Sequence, residues 1–258
     1  MSTPRRFRPL CLWRAGAGAA LALFAALAAA QTPVAQDDHP LPFKFTATRH
    51  GVHGGPDGLD VNLRWRREDS SAWIGAYRDR DFGNQARAGW DGVWHLGGDA
   101  LPVPLSLLPS LQVATRGFVG GSLALQAGER FYVQAGIGRT NLKPYQNLNF
   151  DPNDALTVVV GWKGEDGRAL GVTVVRDDRL HTGQQHVHLT GQWPLPQGRR
   201  LTLDLLRKQG QMEDGTFIRA TGFTATLDFP RWFLRAAWDP KQNFEAQDVL
   251  RVGAGWRF

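Results

Sequence analysis

The chain has 258 residues, and its Lys and Arg outnumber Asp and Glu 30 to 24, for a formal charge of +6. Its single cysteine, Cys11, lies at the extreme N-terminus, so no disulfide, thiol chemistry or cysteine metal site is expected in the body of the chain. Phosphate-loop, dinucleotide and zinc-finger spacings are absent, and no cofactor and no nucleic acid partner is expected.

Arg5, Arg6, Arg8 and Arg14 precede an apolar run from Ala15 to Ala30 that ends in Ala28-Ala29-Ala30. A basic start, an apolar middle and a small-residue end read as a cleaved signal peptide over residues 1–30. A membrane anchor is the competing reading, but the run is short, Ala-rich and without a stop-transfer flank. Removing the four leader arginines leaves a mature charge of about +2, so the basic balance carries little information. No later run approaches the roughly eighteen apolar residues of a spanning helix.

Residues 31–57 read as a periplasmic lead-in. They include a brief alternation at Phe43–Thr48 and a Gly-rich piece from Gly51 to Gly58. From Leu59 onward the alternation is sustained: Leu59, Val61, Leu63 and Trp65 oppose Asp60, Asn62, Arg64 and Arg66. Trp73, Gly75 and Tyr77 follow, opposed to Ile74, Ala76, Arg78 and Arg80. Ala86, Ala88 and Trp90 then oppose Arg87, Gly89 and Asp91. Leu96 to Pro109 holds three prolines and reads as a loop.

The stretch Leu111 to Gln126 decides the strand count. Its apolar parity does not switch across Gly120-Gly121, as a two-residue hairpin there would require. It is either one long strand or a hairpin with an odd-length loop. Later strands are clearer: Phe131–Gly138, Leu156–Trp162, Leu170–Val174, His186–Trp193, Leu201–Lys208, Phe223–Leu227 and Trp232–Trp238. Asn141–Asp154, Arg176–Gln185 and Asp239–Asp248 are the longer polar connections. In the last segment Leu250, Val252, Ala254, Trp256 and Phe258 alternate with Arg and Gly.

An alternating strand closed by Phe resembles the C-terminal signal of Gram-negative outer-membrane β-barrels. That resemblance implies export through the periplasm, assembly by the barrel machinery reading those five residues, and outer-membrane lipid and lipopolysaccharide as surroundings. Strands apolar on one face, joined alternately by tight turns and longer loops, suit the same architecture. The expected fold is an all-β transmembrane antiparallel up-and-down barrel over residues 58–258. Twelve strands are expected, because fourteen would leave each short of the roughly 9–11 residues a tilted span needs; fourteen is the alternative. Trp65, Trp73, Trp90, Trp162, Trp193, Trp232, Trp238 and Trp256 would form aromatic girdles.

The opposite parity points into a lumen. Its expected charged lining is Asp60, Arg64, Arg66, Arg78, Arg80, Arg87, Asp91, Arg116, His186, His188, Asp204, Lys208 and Arg235. Such a lining fits either a network of paired charges or an anion-preferring pore. His186 and His188 share a face without a third ligand, so no metal is expected. Acidic pairs at Asp177-Asp178 and Asp239 would sit at external loop tips. The function expected is a narrow solute channel or a structural barrel. A lipid hydrolase barrel is one alternative, although no His-x-Ser pair or Gly-x-Ser-x-Gly elbow occurs and no catalytic residue is assigned. A soluble periplasmic β-sandwich is the other. Oligomeric state is not legible.

Overall fold

A computed structural model describes residues 41–98, 102–148 and 154–258. The expected signal peptide lies outside them. The first strands are β1 (Phe43–Val52), β2 (Gly58–Arg67), β3 (Ser70–Arg78), β4 (Asn84–Gly92) and the three-residue β5 (Trp94–Leu96). Then come β6 (Leu105–Ala114), β7 (Phe118–Ala127), β8 (Phe131–Thr140), β9 (Ala155–Lys163) and β10 (Ala169–Asp177). The last are β11 (Gln185–Leu195), β12 (Arg199–Gln211), β13 (Phe217–Asp228), β14 (Trp232–Asp239) and β15 (Val249–Arg257).

Chain neighbours pair antiparallel throughout, β1 pairs with β15, and β4 pairs with β6 past the short β5. The sheet therefore closes as an up-and-down barrel of fourteen wall strands, with β5 a stub on the edge of β6. Fourteen, not twelve, is the count among the described residues. Both extra strands have a physical reason. Phe43–Val52 is a wall strand because closure needs it: Lys44 to Val52 pair with Arg257 to Val249. Leu111–Gln126 is not one strand but β6, a three-residue loop and β7, with Ala114 opposite Phe118. An odd loop preserves apolar parity across the turn. Arg116 and Gly117 make that turn with φ of 68° and 75°, the left-handed region that tight loops use.

Pro109 lies inside β6, a position the sequence assigned to a loop. Its missing N–H is tolerated because β4 pairs only as far as Asp91–Ser110, and β5 resumes at Trp94–Leu107.

The packing is inverted relative to a soluble protein. Leu59, Ile74, Phe131, Val160, Leu205 and Val252 are at least half bare on the outside. Inside, Gln85, Gln112, Gln134, His186, Lys208 and Asp239 are buried. Fully burying one such apolar side chain contributes about 1.5–3 kcal/mol. A band of them left half bare in water would cost on the order of tens of kcal/mol, more than a domain's net stability of about 5–15. Hydrocarbon around the wall removes that cost. The β-sandwich alternative has no second sheet to cover this face.

Both described ends of the chain meet at one rim, where Phe43 stacks on Phe258 at 5.5 Å. The turns at this rim are mostly tight, such as residues 68–69 and 128–130. The opposite rim carries residues 141–148, 178–184 and 240–248 of the longer loops. Tight turns and longer loops segregate to the periplasmic and external ends of outer-membrane barrels.

Candidate functional site: the lumen and its in-folded loops

Pleat alternation sets which side chains enter the lumen, and the register fixes it strand by strand. Asp60, Arg64, Arg66, Arg87, Asp91, His186, His188, Asp204, Lys208 and Arg235 occupy inward positions. Three of the expected lining residues do not. Arg78 pairs outward with Leu59, because β3 continues the parity of Ile74, which is 61 % exposed. Arg80 lies past the end of β3, in the loop to β4. Arg116 sits in the β6–β7 turn, donating to the Phe82 carbonyl at 2.6 Å. Trp73, assigned to the outer girdle, instead turns inward and covers Gly89.

The inward charges are largely paired. Arg87 reaches Asp60 at 2.5 Å, and Arg64 reaches Asp91 at 3.0 Å beside the Ser71 hydroxyl. Asp204 accepts from Thr190 at 2.6 Å and lies 2.9 Å from Nδ1 of His188. Lys208 and Asp239, both fully buried, are 2.6 Å apart. Arg257 pairs with Asp228, which Arg200 also approaches at 3.7 Å. Asp228 and Asp239 each lie one residue past the strand ends expected from the sequence, Leu227 and Trp238. They end β13 and β14 on the inward parity, and a one-residue boundary difference hid them.

The site's main feature was read as plain loop. After β8 the chain does not leave the barrel. Tyr145 stacks on Phe118 of β7 at 4.3 Å and accepts a hydrogen bond from the Gln112 amide of β6. Burial pushes its phenol above the ordinary value, so it stays neutral. Gln146 is held both ways by Gln85 of β4, which donates to its carbonyl at 3.0 Å and accepts from its N–H at 2.8 Å. Asn147 donates to Asn243 at 2.7 Å, and Arg251 of β15 donates to the Leu148 carbonyl at 2.7 Å. The segment 141–148 thus crosses from β8 past β7, β6 and β4 to β15, across the ring.

A second loop meets it. Residues 240–248 fold inward from β14, with Phe244 stacked on His186 at 5.4 Å. Lys208 donates to the Lys241 carbonyl at 2.7 Å, tying this loop to β12. The Asn147–Asn243 contact joins the two loops. The sequence signal is that Leu142, Tyr145, Leu148 and Phe150 interrupt an otherwise polar run.

The lumen is therefore divided by height. Toward the loop-bearing rim, His50, Gln85, Gln112, His186 and Lys208 are buried against the two loops. Toward the other rim, Arg257, Phe233, Tyr132 and Gln134 are buried too, but Arg235 is exposed and Lys44, Arg64 and Arg66 are half-exposed, although all face inward. That lower wall is basic on one side. Lys44 sits between Arg64 and Arg257 in register, with Arg66 and Arg235 nearby on β2 and β14. The facing wall of β7–β9 carries Ser122, Gln126 and Thr157 part-exposed, and Tyr132 and Gln134 buried.

The expected external acids are used internally. Asp177 accepts from the N–H groups of Arg179 and Leu180 at 3.1 Å and from Thr182 at 2.9 Å, ordering its own loop. Asp178 pairs with Arg139 at 2.7 Å. His186 and His188 acquire no third ligand: among the described residues no group of three or more His, Cys, Asp or Glu is placed to hold a metal. The Thr190 hydroxyl donates to Asp204, not to His188.

Solved structures with this shape are outer-membrane proteins. Omp33 of Acinetobacter baumannii aligns with a TM-score of 0.55 at 11% identity, covering 84% of this chain and 98% of that one. The fold is that of an outer-membrane β-barrel. The KdgM porin aligns at 0.45 with 9% identity over 83% of this chain and 99% of its own. OmpF of Salmonella typhi aligns at 0.41 with 14% identity over 86% and 98%. No protein-family model and no curated protein matches the chain.

Proposed function

We propose that this protein is an outer-membrane channel for small solutes, with a basic vestibule on the periplasmic side and a constriction built by two in-folded loops. The observation that carries the proposal is the segment 141–148, which narrows the lumen from inside instead of capping it. A barrel serving only as a structural wall has no need of a cross-lumen tie anchored on β4, β6, β7 and β15.

The exposed inward Arg235, with Arg66 and Lys44 beside it, holds a positive potential below the constriction that concentrates anions. The paired charges higher up contribute little net field. The preference is therefore for anions, and modest. The terminal strand, with Leu250, Val252, Ala254, Trp256 and Phe258 all outward, is the segment the barrel-assembly machinery would read on this account.

Planar bilayer recording tests this. Purified protein should give small unitary steps, with a reversal potential under a salt gradient displaced toward the chloride potential. Arg66→Glu with Arg235→Glu should move it toward the potassium potential. An absence of steps at every voltage refutes the channel. A reversal potential unmoved by the double variant refutes the vestibule's role in selectivity.

A further inference from the structure

The outer wall is as patterned as the lumen. At the rim shared by the chain ends, the outward positions include the aromatics Phe43, Trp65, Trp90, Trp162, Trp193 and Trp232, with Arg67 and Arg199 the outward charges there. At the loop-bearing rim the outward charged positions are Arg49, Arg78, Arg139, Arg176, Arg207 and Arg219, all exposed. No Asp or Glu occupies an outward strand position anywhere among the described residues. Arg49 pairs with the loop residue Asp57, and Arg139 with Asp178. The side chains of Arg78 and Arg176 have no hydrogen bond or ion pair within the described residues.

A lipid-facing Arg is costly at the bilayer midplane, about 2–4 kcal/mol, and nearly free at the interface. Its stem lies along the wall and its head reaches the polar layer. Loop acids take up the heads of Arg49 and Arg139; those of Arg78 and Arg176, with no acid beside them, ask for an anion. Guanidinium binds phosphate in two-pronged fashion.

Below Arg78 the outer wall is hollow. Leu63, Ile74, Ala76, Ala86, Ala88 and Val113 border an apolar groove of about 550 Å³. It exists because three alanines floor it between larger side chains. Arg78 stands two residues beyond Ala76 on the same strand. Arg49 and Arg78 flank Leu59 from the two neighbouring strands, about 10 Å apart at two strand spacings.

We propose that this face binds one molecule of a phosphorylated, multiply acylated outer-leaflet glycolipid, the lipid A portion of lipopolysaccharide, with one phosphate on Arg78, the other on Arg49 in exchange for Asp57, and an acyl chain in the alanine groove. The inference rests on the outer-membrane orientation in the functional reading above. Charge complementarity above the groove and apolar shape within it select this occupant over a second copy of the chain. A second copy would present the same arginines to one another.

The test uses folded protein in detergent, confirmed for each variant by heat-modifiable migration, and lipid retained after gel filtration. Bis-phosphorylated lipid A, its dephosphorylated form, phosphatidylglycerol and inorganic phosphate are the probes. Wild type should retain the first; Arg49→Gln with Arg78→Gln should lower its affinity about 10- to 100-fold, the loss of one or two charge-assisted contacts. Ala86→Leu with Ala88→Leu, which fills the groove and leaves both arginines, should lower it as well. Equal retention by either double variant overturns the proposal. So does equal retention of dephosphorylated lipid A or phosphatidylglycerol, or competition by millimolar inorganic phosphate. Wild type without a heat-modifiable band would instead refute the barrel reading beneath it, and conductance of the same preparations reports on the channel separately.

Discussion

The anchor of the 240–248 loop gives the sharpest energetic prediction. Lys208 and Asp239 are both fully buried, 2.6 Å apart, and Lys208 also donates to the Lys241 carbonyl at 2.7 Å. Lys208→Met leaves the Asp239 carboxylate buried without its cation. Breaking a buried pair costs about 3–5 kcal/mol, two to four orders of magnitude in the folding equilibrium. Asp239→Leu leaves the ammonium stranded and should cost a similar amount. The double variant removes both charges and should recover most of the loss, lying within about 1–2 kcal/mol of wild type, because the desolvation cost disappears with the attraction. Urea unfolding of the detergent-solubilised barrel, followed by tryptophan fluorescence, measures all three. Two single variants at the wild-type midpoint would refute the reasoning, as would a double variant no better than either single. The same loop meets the cross-lumen segment, so recordings of Lys208→Met should also show noisier open levels.

Tyr145→Ala deletes both the stack on Phe118 and the contact to Gln112. It should cost about 3–5 kcal/mol of local packing and increase single-channel conductance; unchanged conductance would mean the segment does not set the constriction. Burial, with Glu213 and Asp79 adding to it, raises the Glu245 carboxyl. A raised folded value means the in-folded loop gains a proton before the free chain does. Its packing is then favoured as pH falls through the window just above the ordinary glutamate value and is lost as pH rises through it. Closures should lengthen on acidification, and Glu245→Gln should abolish that dependence. At Gly255 a Cβ would lie 2.0 Å from the Phe233 ring and 2.7 Å from the Phe45 carbonyl. Gly255→Leu should therefore impair closure of β15 on β14, read as loss of the heat-modifiable band, whereas Gly51→Ala, whose Cβ would meet nothing nearer than the Leu250 carbonyl at 3.4 Å, should not.

The barrel was legible in the sequence because lipid and lumen impose opposite polarity on successive residues, and that alternation survives in every wall strand from Leu59 to Trp256. Strand number was harder. The count turned on Thr115-Arg116-Gly117, a three-residue turn that leaves parity untouched, and on Pro109, harmless because its ladder is interrupted on one side. The errors in the lumen list have two causes. Arg78 was placed by its polarity and not by the register of Ile74 and Tyr77. Arg80 and Arg116 sit in loops whose ends alternation does not mark. The in-folded segment was out of reach, since Leu142, Tyr145 and Leu148 among polar residues do not say whether a loop turns toward water or back into the barrel. The arginine collar was hidden for the opposite reason: outward cations look like exceptions until the register shows six of them at one rim.

The account stands on hydrocarbon covering the apolar outer wall. Sedimentation of the folded, leaderless chain in plain buffer tests that most directly. The account predicts no monomer without detergent or lipid, and a single folded species once detergent is added. A folded, monodisperse monomer in plain buffer would contradict it.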